Sequence, residues 1–257
     1  MTFRIKFAKF GVVRYIGHLD VMRYFQKVIR RSGLPVTYSQ GFSPHQLMSF
    51  ALPLGVGITS DGEYMEVEFD EEALEKDTGG DTERYLLNRL SEYTTEGFEI
   101  LSVLQLPKPK PNVHQDKAMA LVSAADYLIR VRDGYEEKTG FGSQDAFYEA
   151  FEKFASREAV MVTKKTKKNE KELNLKEYVY DFGETAKDEA SFKHARSFKN
   201  GMQFYVKLAA GSVMNIKPEM VLEAFMVDCG REFDENAFAI HRCELYMGEP
   251  GKLKALI

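Results

Sequence analysis

Thr2-Phe3-Arg4-Ile5-Lys6-Phe7-Ala8-Lys9-Phe10 alternates apolar and charged side chains with a period of two, the pattern of a strand with one buried face. His18 to Ser32 then carries Val21, Phe25, Val28 and Ile29 at helical spacing, with Gly33-Leu34-Pro35 as the stop. This first βα unit sets the frame for the segments after it. Pro35 to Ser39 and Leu47 to Leu52 read as short extended segments around the turn Gly41-Phe42-Ser43-Pro44. Glu63 to Phe69 alternates as a strand, Thr82 to Tyr93 is helical in pattern, and Phe98 to Leu106 is a strand. The order β-α-β-β-α-β predicts a ferredoxin-like module.

In Pro107-Lys108-Pro109-Lys110-Pro111 alternate residues lack an amide donor, so the segment cannot sit inside a sheet and reads as a stiff linker. The expected division is a module over 1–107, a linker over 108–117 and a second module over 118–257. In the latter, Ala125 to Val131, Ala159 to Thr163, Met202 to Ala209 and Ala239 to Met247 read as strands. Ser143 to Ser156 and Pro218 to Val227 read as helices, so the same order returns, interrupted by a polar insertion over 164–200 that contains Tyr178-Val179-Tyr180. The expected fold class is α+β, two tandem ferredoxin-like (βαββαβ) modules.

A length of 257 residues with 44% hydrophobic content allows a core in each module. The opening alternation fits neither a signal peptide nor a membrane span, so a cytoplasmic protein without a membrane partner is expected. Cys229 and Cys243 are too few for a disulfide framework, a four-cysteine zinc site or the three cysteines of a typical iron–sulfur cluster. They read as buried, reduced thiols. No metal-ligand spacing or nucleophile motif stands out, Leu54-Gly55-Val56-Gly57 lacks the Lys-Ser/Thr of a phosphate-binding loop, and no cofactor is expected.

The net charge of −4 conceals an asymmetry. Residues 1–60 hold eight basic side chains (Arg4, Lys6, Lys9, Arg14, Arg23, Lys27, Arg30, Arg31) against the single acid Asp20, a balance of +7. Residues 61–107 hold three basic residues against fourteen acids, a balance of −11. A polarity of this size steers a polyanion, matches a protein partner or solubilises the chain. On the predicted helix Arg23, Lys27, Arg30 and Arg31 lie opposite the apolar stripe. An ordinary solvated outer face looks the same. Arg14 before the helix and the donor-rich loop Tyr38-Ser39-Gln40-Gly41-Phe42-Ser43-Pro44-His45 after it favour a polyanion surface, with RNA as a candidate. Its residues are Arg14, His18, Arg23, Lys27, Arg30 and Arg31 for phosphate, with Tyr38, Gln40, Phe42 and His45 for recognition by stacking and hydrogen bonding. His18, at the helix start, is either structural or a general base, and Tyr38 is its candidate assistant in a metal-independent nuclease. The run Lys164-Lys165-Thr166-Lys167-Lys168 with Lys171 reads as a basic hairpin tip.

The stretches Tyr15-Ile16-Gly17-His18-Leu19-Asp20, Arg30-Arg31-Ser32-Gly33-Leu34-Pro35, Tyr38 to His45, and Leu52-Pro53-Leu54-Gly55-Val56-Gly57 through Gly62-Glu63-Tyr64 resemble a bacterial family of unknown function, the radical SAM-linked or radical SAM-associated proteins. The likeness is looser beyond them, resting on Lys164 to Leu175, Ser212 to Leu222 and Arg242 to Tyr246. Gly17 stands where that family has Ser, which removes a capping hydroxyl. The resemblance implies a radical SAM protein as partner, supplying the cluster chemistry, and carries over no catalytic residue. The expected architecture is also similar to that of RAMP-type CRISPR RNA-processing endoribonucleases. Three functions stay open: an RNA- or polyanion-binding accessory presenting its ligand to a radical SAM partner, a RAMP-like endoribonuclease, and a protein-docking module.

Overall fold

The computed structural model describes residues 1–78, 80–108, 116–165, 170–185 and 192–257. Strand β1 (Thr2–Lys9) buries Phe3, Ile5 and Phe7 against helix α1 (His18–Ser32), whose Phe25 ring meets Phe7 edge-on at 4.6 Å. The helix presents Val21, Phe25, Val28 and Ile29 inward, and Gly33 ends it in the left-handed region at φ 70, where a Cβ would cost strain. Next come β2 (Met48–Phe50), β3 (Thr59–Glu68), α2 (Glu71–Thr78), α3 (Thr82–Tyr93) and β4 (Phe98–Gln105). The Asp81 carboxylate accepts the Arg84 amide at 3.1 Å and so caps α3. β1 pairs antiparallel with β3 and β4, and β2 pairs antiparallel with β3, which sets the order β4-β1-β3-β2. α1 and α3 contact one another over the core that includes Phe3, Ile5 and Phe7.

The second half comprises α4 (Ala118–Leu121), β5 (Val122–Val131), α5 (Glu136–Thr139), α6 (Gln144–Ala155), β6 (Met161–Lys165), β7 (Glu170–Asn174), β8 (Val179–Gly183), β9 (Gln203–Ala209), α7 (Pro218–Asp228), β10 (Phe238–Met247) and β11 (Lys254–Ala255). Antiparallel pairings give the order β10-β5-β9-β8. The segment expected as the second strand, Ala159 to Thr163, instead contributes β6, which among the described residues pairs with β7 in a separate two-stranded ribbon. Its place in the sheet belongs to β8, drawn from the expected insertion. Val179, Tyr180 and Phe182 pack on the second core, whereas Thr163 and Met161 stay exposed. Residues 109–115 of the expected linker and 166–169 of the lysine run lie outside the described residues.

The two halves are not separate bodies. β10 runs parallel to β3 with His241 opposite Thr59 and Arg242 opposite Ser60, which fuses both strand sets into one nine-stranded mixed sheet. Buried polar contacts cross this joint. Arg242, 1% exposed, forks onto Glu63 at 2.6–2.8 Å and donates to the Leu52 carbonyl at 2.8 Å. Lys6 and the Tyr64 hydroxyl each reach Glu244 at 2.6 Å. Arg4 bonds Glu66 and the Leu256 carbonyl. No helix among the described residues is long and apolar enough to cross a membrane.

Candidate anion site at the joint of the two halves

β5 alternates in the expected way. Tyr127, Ile129 and Val131 enter the core under α6 and α7, so Leu128 and Arg130 point to the opposite face, and Arg132 follows just past the strand end. β10 adds Ala239 and His241 to that same face, because His241 pairs with Leu128 and Ala239 with Arg130. From the first half, the 3-10 turn Gly11–Tyr15 brings Arg14, held by the Gly57 amide donating to the Arg14 carbonyl at 2.8 Å. The segment from Ala195 to Phe198 lies across them. The result is a cavity of about 40 Å³ lined by Arg14, Arg130, Arg132, Arg196, His241 and Phe198, among others, with no Asp or Glu among its described lining residues.

The four guanidinium groups have no carboxylate partner among the described residues. Arg14 donates to the Gly11 carbonyl at 2.7 Å and to the Tyr15 hydroxyl at 2.9 Å, and its guanidinium carbon stands 4.4 Å from the Tyr15 ring centre. Arg130 donates to Gln203 at 2.8 Å and to the Arg196 carbonyl at 2.9 Å, and burial lowers it from the usual guanidinium range. Arg196 lies over the Phe198 ring at 5.1 Å. The bond from Arg14 lowers the Tyr15 phenol, and the charges of Arg14, Arg132 and Arg196 add to the effect, so three of the four arginines act on one exposed ring. Cations crowded together without counter-charges make a site for an anion, and guanidinium forks suit the oxygens of phosphate or carboxylate.

Behind this lining sits an acid that clamps two histidines. His241, 4% exposed, bonds Thr59 Oγ1 through Nδ1 at 2.8 Å, and its Nε2 stands 3.2 Å from Asp61 Oδ2. Asp61 Oδ1 bonds His194 Nδ1, Oδ2 accepts the His194 amide at 3.1 Å, and the His194 ring stacks on Phe10 at 3.9 Å. His194 Nε2 and Lys193 both engage Glu99, at 3.0 and 2.6 Å. Burial works against ionisation of Asp61, but the bond and charge of His241 and the bonds of His194 outweigh it, so the carboxyl lies below the usual range. Both His241 nitrogens face protein groups, so it holds the wall of the cavity and is not placed as a free base. Among the described residues no group of three or more His, Cys, Asp or Glu side chains is arranged to hold a metal ion.

The residues singled out in the sequence fall in four places. Arg14 is at the cavity. Arg23, Lys27, Arg30 and Arg31 lie on the exposed outer face of α1, where Arg23 pairs with Asp20 at 3.2 Å and Arg31 lies over the Tyr93 ring. Tyr38, Gln40, Phe42 and His45 occupy an exposed turn closed by a Tyr38–Gln46 bridge, with Phe42 at its tip and His45 Nδ1 bonded to Ser39 at 2.8 Å. The base of that turn is tied to α1 by Gln46 donating to the Gln26 carbonyl at 3.3 Å. His18 is elsewhere again, edge-on to Phe50 at 5.2 Å beside a cavity of about 10 Å³ that Lys9 and Glu63 also line, and burial lowers its imidazole. Arg4, Lys6 and Lys9, counted in the +7 segment, are turned inward onto protein partners, Lys9 onto the Ile16 carbonyl at 2.9 Å.

Fold and site together define a mixed α/β protein whose fused halves enclose an arginine-lined cavity. The chain belongs to a family described as uncharacterized proteins conserved in bacteria (DUF2344), which it matches over residues 2–218. No curated protein matches it.

Proposed function

We propose that this protein is an RNA- or polyanion-binding accessory that holds phosphate oxygens in the cavity between its halves and presents the ligand to a radical SAM partner in the cytoplasm. The observation that carries the reading is the convergence of Arg14, Arg130, Arg132 and Arg196 on one cavity with no acid among its described lining residues. Exposed cations on α1 and the exposed Tyr38 and Phe42 offer a second, weaker surface along which a longer strand runs. The radical SAM partner rests on the sequence resemblance and on the presence of only Cys229 and Cys243, too few to hold a typical cluster. We read the two strand orders, β4-β1-β3-β2 and β10-β5-β9-β8, as two ferredoxin-like modules joined edge to edge, an arrangement that suits a ligand gripped from both sides. An endoribonuclease centred on His18 has less support, since that ring packs edge-on against Phe50 while Tyr38, its candidate assistant, lies apart on the exposed turn.

The test is binding of a single-stranded oligoribonucleotide, followed by fluorescence anisotropy over stepped salt. Phosphate neutralisation releases counterions, so the logarithm of the binding constant falls linearly with log salt, and each contact removed lowers the slope by about 0.7. Arg14→Gln with Arg132→Gln is expected to lower it by about 1.4. Binding that ignores salt, or no binding to any oligonucleotide, overturns the proposal. Co-purification of a radical SAM protein without RNA then assigns the charged faces to protein docking.

A further inference from the structure

Resting on the polyanion reading of this site, we infer that the cavity receives a terminal phosphomonoester, a phosphate at the end of a strand or on a free nucleotide, with the adjoining base laid on the exposed Tyr15 ring. The arguments are size, charge and neighbours. A cavity of about 40 Å³ has room for the oxygens of one phosphate group. An internal phosphodiester also needs an open path on both sides. Here the buried His241 stands in one wall, fixed through Nδ1 by Thr59, and the segment that carries Arg196 lies across the site, so a chain enters and stops.

The charge matches. A phosphodiester brings one negative charge, whereas a monoester brings about −1.5 to −2 at neutral pH and three terminal oxygens. Four guanidinium groups from three separate segments exceed what one diester neutralises. They fit a dianion whose oxygens each accept from a different fork.

The neighbours supply the rest. Tyr15, next in the chain to the cavity residue Arg14, is 57% exposed and has the Arg14 guanidinium 4.4 Å from its ring centre. Val12 and Val56, on the two segments that the Gly57–Arg14 bond ties together, are 80% and 61% exposed. Exposed apolar and aromatic side chains on the segments that bring Arg14 and Gly57 to the cavity suit a nucleotide, since every base has a face to stack and a phosphate a short reach away.

Calorimetric titration of the full chain with four probes distinguishes the possibilities: one decaribonucleotide sequence with both ends hydroxyl, with a 5′-phosphate or with a 3′-phosphate, and AMP. One of the two end-phosphorylated strands is expected to bind at least tenfold tighter than the hydroxyl-ended strand. Arg132→Gln, whose side chain has no bonded partner among the described residues, is expected to abolish that gain, and Tyr15→Ala to weaken the preferred strand. The gain should also fade below about pH 6, where a monoester takes up its second proton. AMP binding as tightly as the preferred strand supports the same assignment with a free nucleotide as the source. Equal, salt-dependent binding of all three strands overturns the end assignment and leaves the polyanion reading standing. No binding of any probe overturns both.

Discussion

At the residue scale the protein is organised by buried charge. Glu63 is 6% and Arg242 1% exposed, and their fork sits where the two halves meet. Removing one partner of such a pair strands the other without water, at a cost of about 3–5 kcal/mol, whereas an apolar replacement of both is often near neutral. Glu63→Leu is therefore expected to lower stability by about that amount in urea unfolding, and Glu63→Leu with Arg242→Met to recover most of it. Asp126 makes a different prediction. It is 4% exposed, and burial pushes its carboxyl up to about 6, although the Tyr246 and Tyr205 hydroxyls donate to it at 2.8 and 2.9 Å. A carboxyl raised in the folded state holds its proton there while the unfolded chain has released it. It thus lowers stability progressively as pH rises from about 4 to about 6, by on the order of 3 kcal/mol, and the loss persists above. Asp126→Asn should flatten the unfolding free energy across that window; an unchanged slope would assign the titration to another group.

At the scale of elements the joint depends on a single position. At Gly62 a Cβ would stand 2.5 Å from the Glu244 Cα and 2.7 Å from the Cys243 carbonyl, both backbone atoms of β10 that cannot swing aside. Gly62→Ala is expected to cost about 3 kcal/mol, the upper part of the overpacking range, while Gly142→Ala, with open space around it, should be near neutral in the same melts. Nothing local in the sequence marks Gly62, because the strand it must fit, β10, comes from the far end of the chain. The elements themselves are legible, since alternation in Thr2 to Lys9 and helical spacing in His18 to Ser32 report burial directly. The ribbon escapes such a reading because Ala159 to Thr163 has strand composition whether it joins a large sheet or a small one. The cavity residues leave a fainter trace. Arg130 and Arg132 stand two apart at one end of an apolar strand, which places both on the face away from Ile129 and Val131. Asp61 and His241 leave none, since an acid in an acidic stretch and a lone histidine each have an ordinary explanation. The charge count over residues 1–60 overstates the surface because Arg4 and Lys6 alternate with Phe3, Ile5 and Phe7, both faces of the strand are covered, and Lys9 at its end is buried too.

At the scale of the whole molecule the shared sheet predicts one cooperative transition. Two cores exist, but β3 and β10 are hydrogen-bonded, Tyr64 from the first half packs in the second core, and the contacts of Glu63 and Glu244 span both. Calorimetric and van't Hoff enthalpies should agree; two resolved transitions would show that the joint opens before either core. Sharing has a further consequence for anyone who cuts the chain between Lys108 and Asp116. Each fragment would leave half of a charge network unmatched and bare the sheet edge that β3 and β10 now share, and that open edge leaves neither suited to live alone in water. Brought together they would pair by those charges, and only their reunion would rebuild the arginine pocket. The two pieces would then form a split protein whose reassembly reports itself by the return of anion binding.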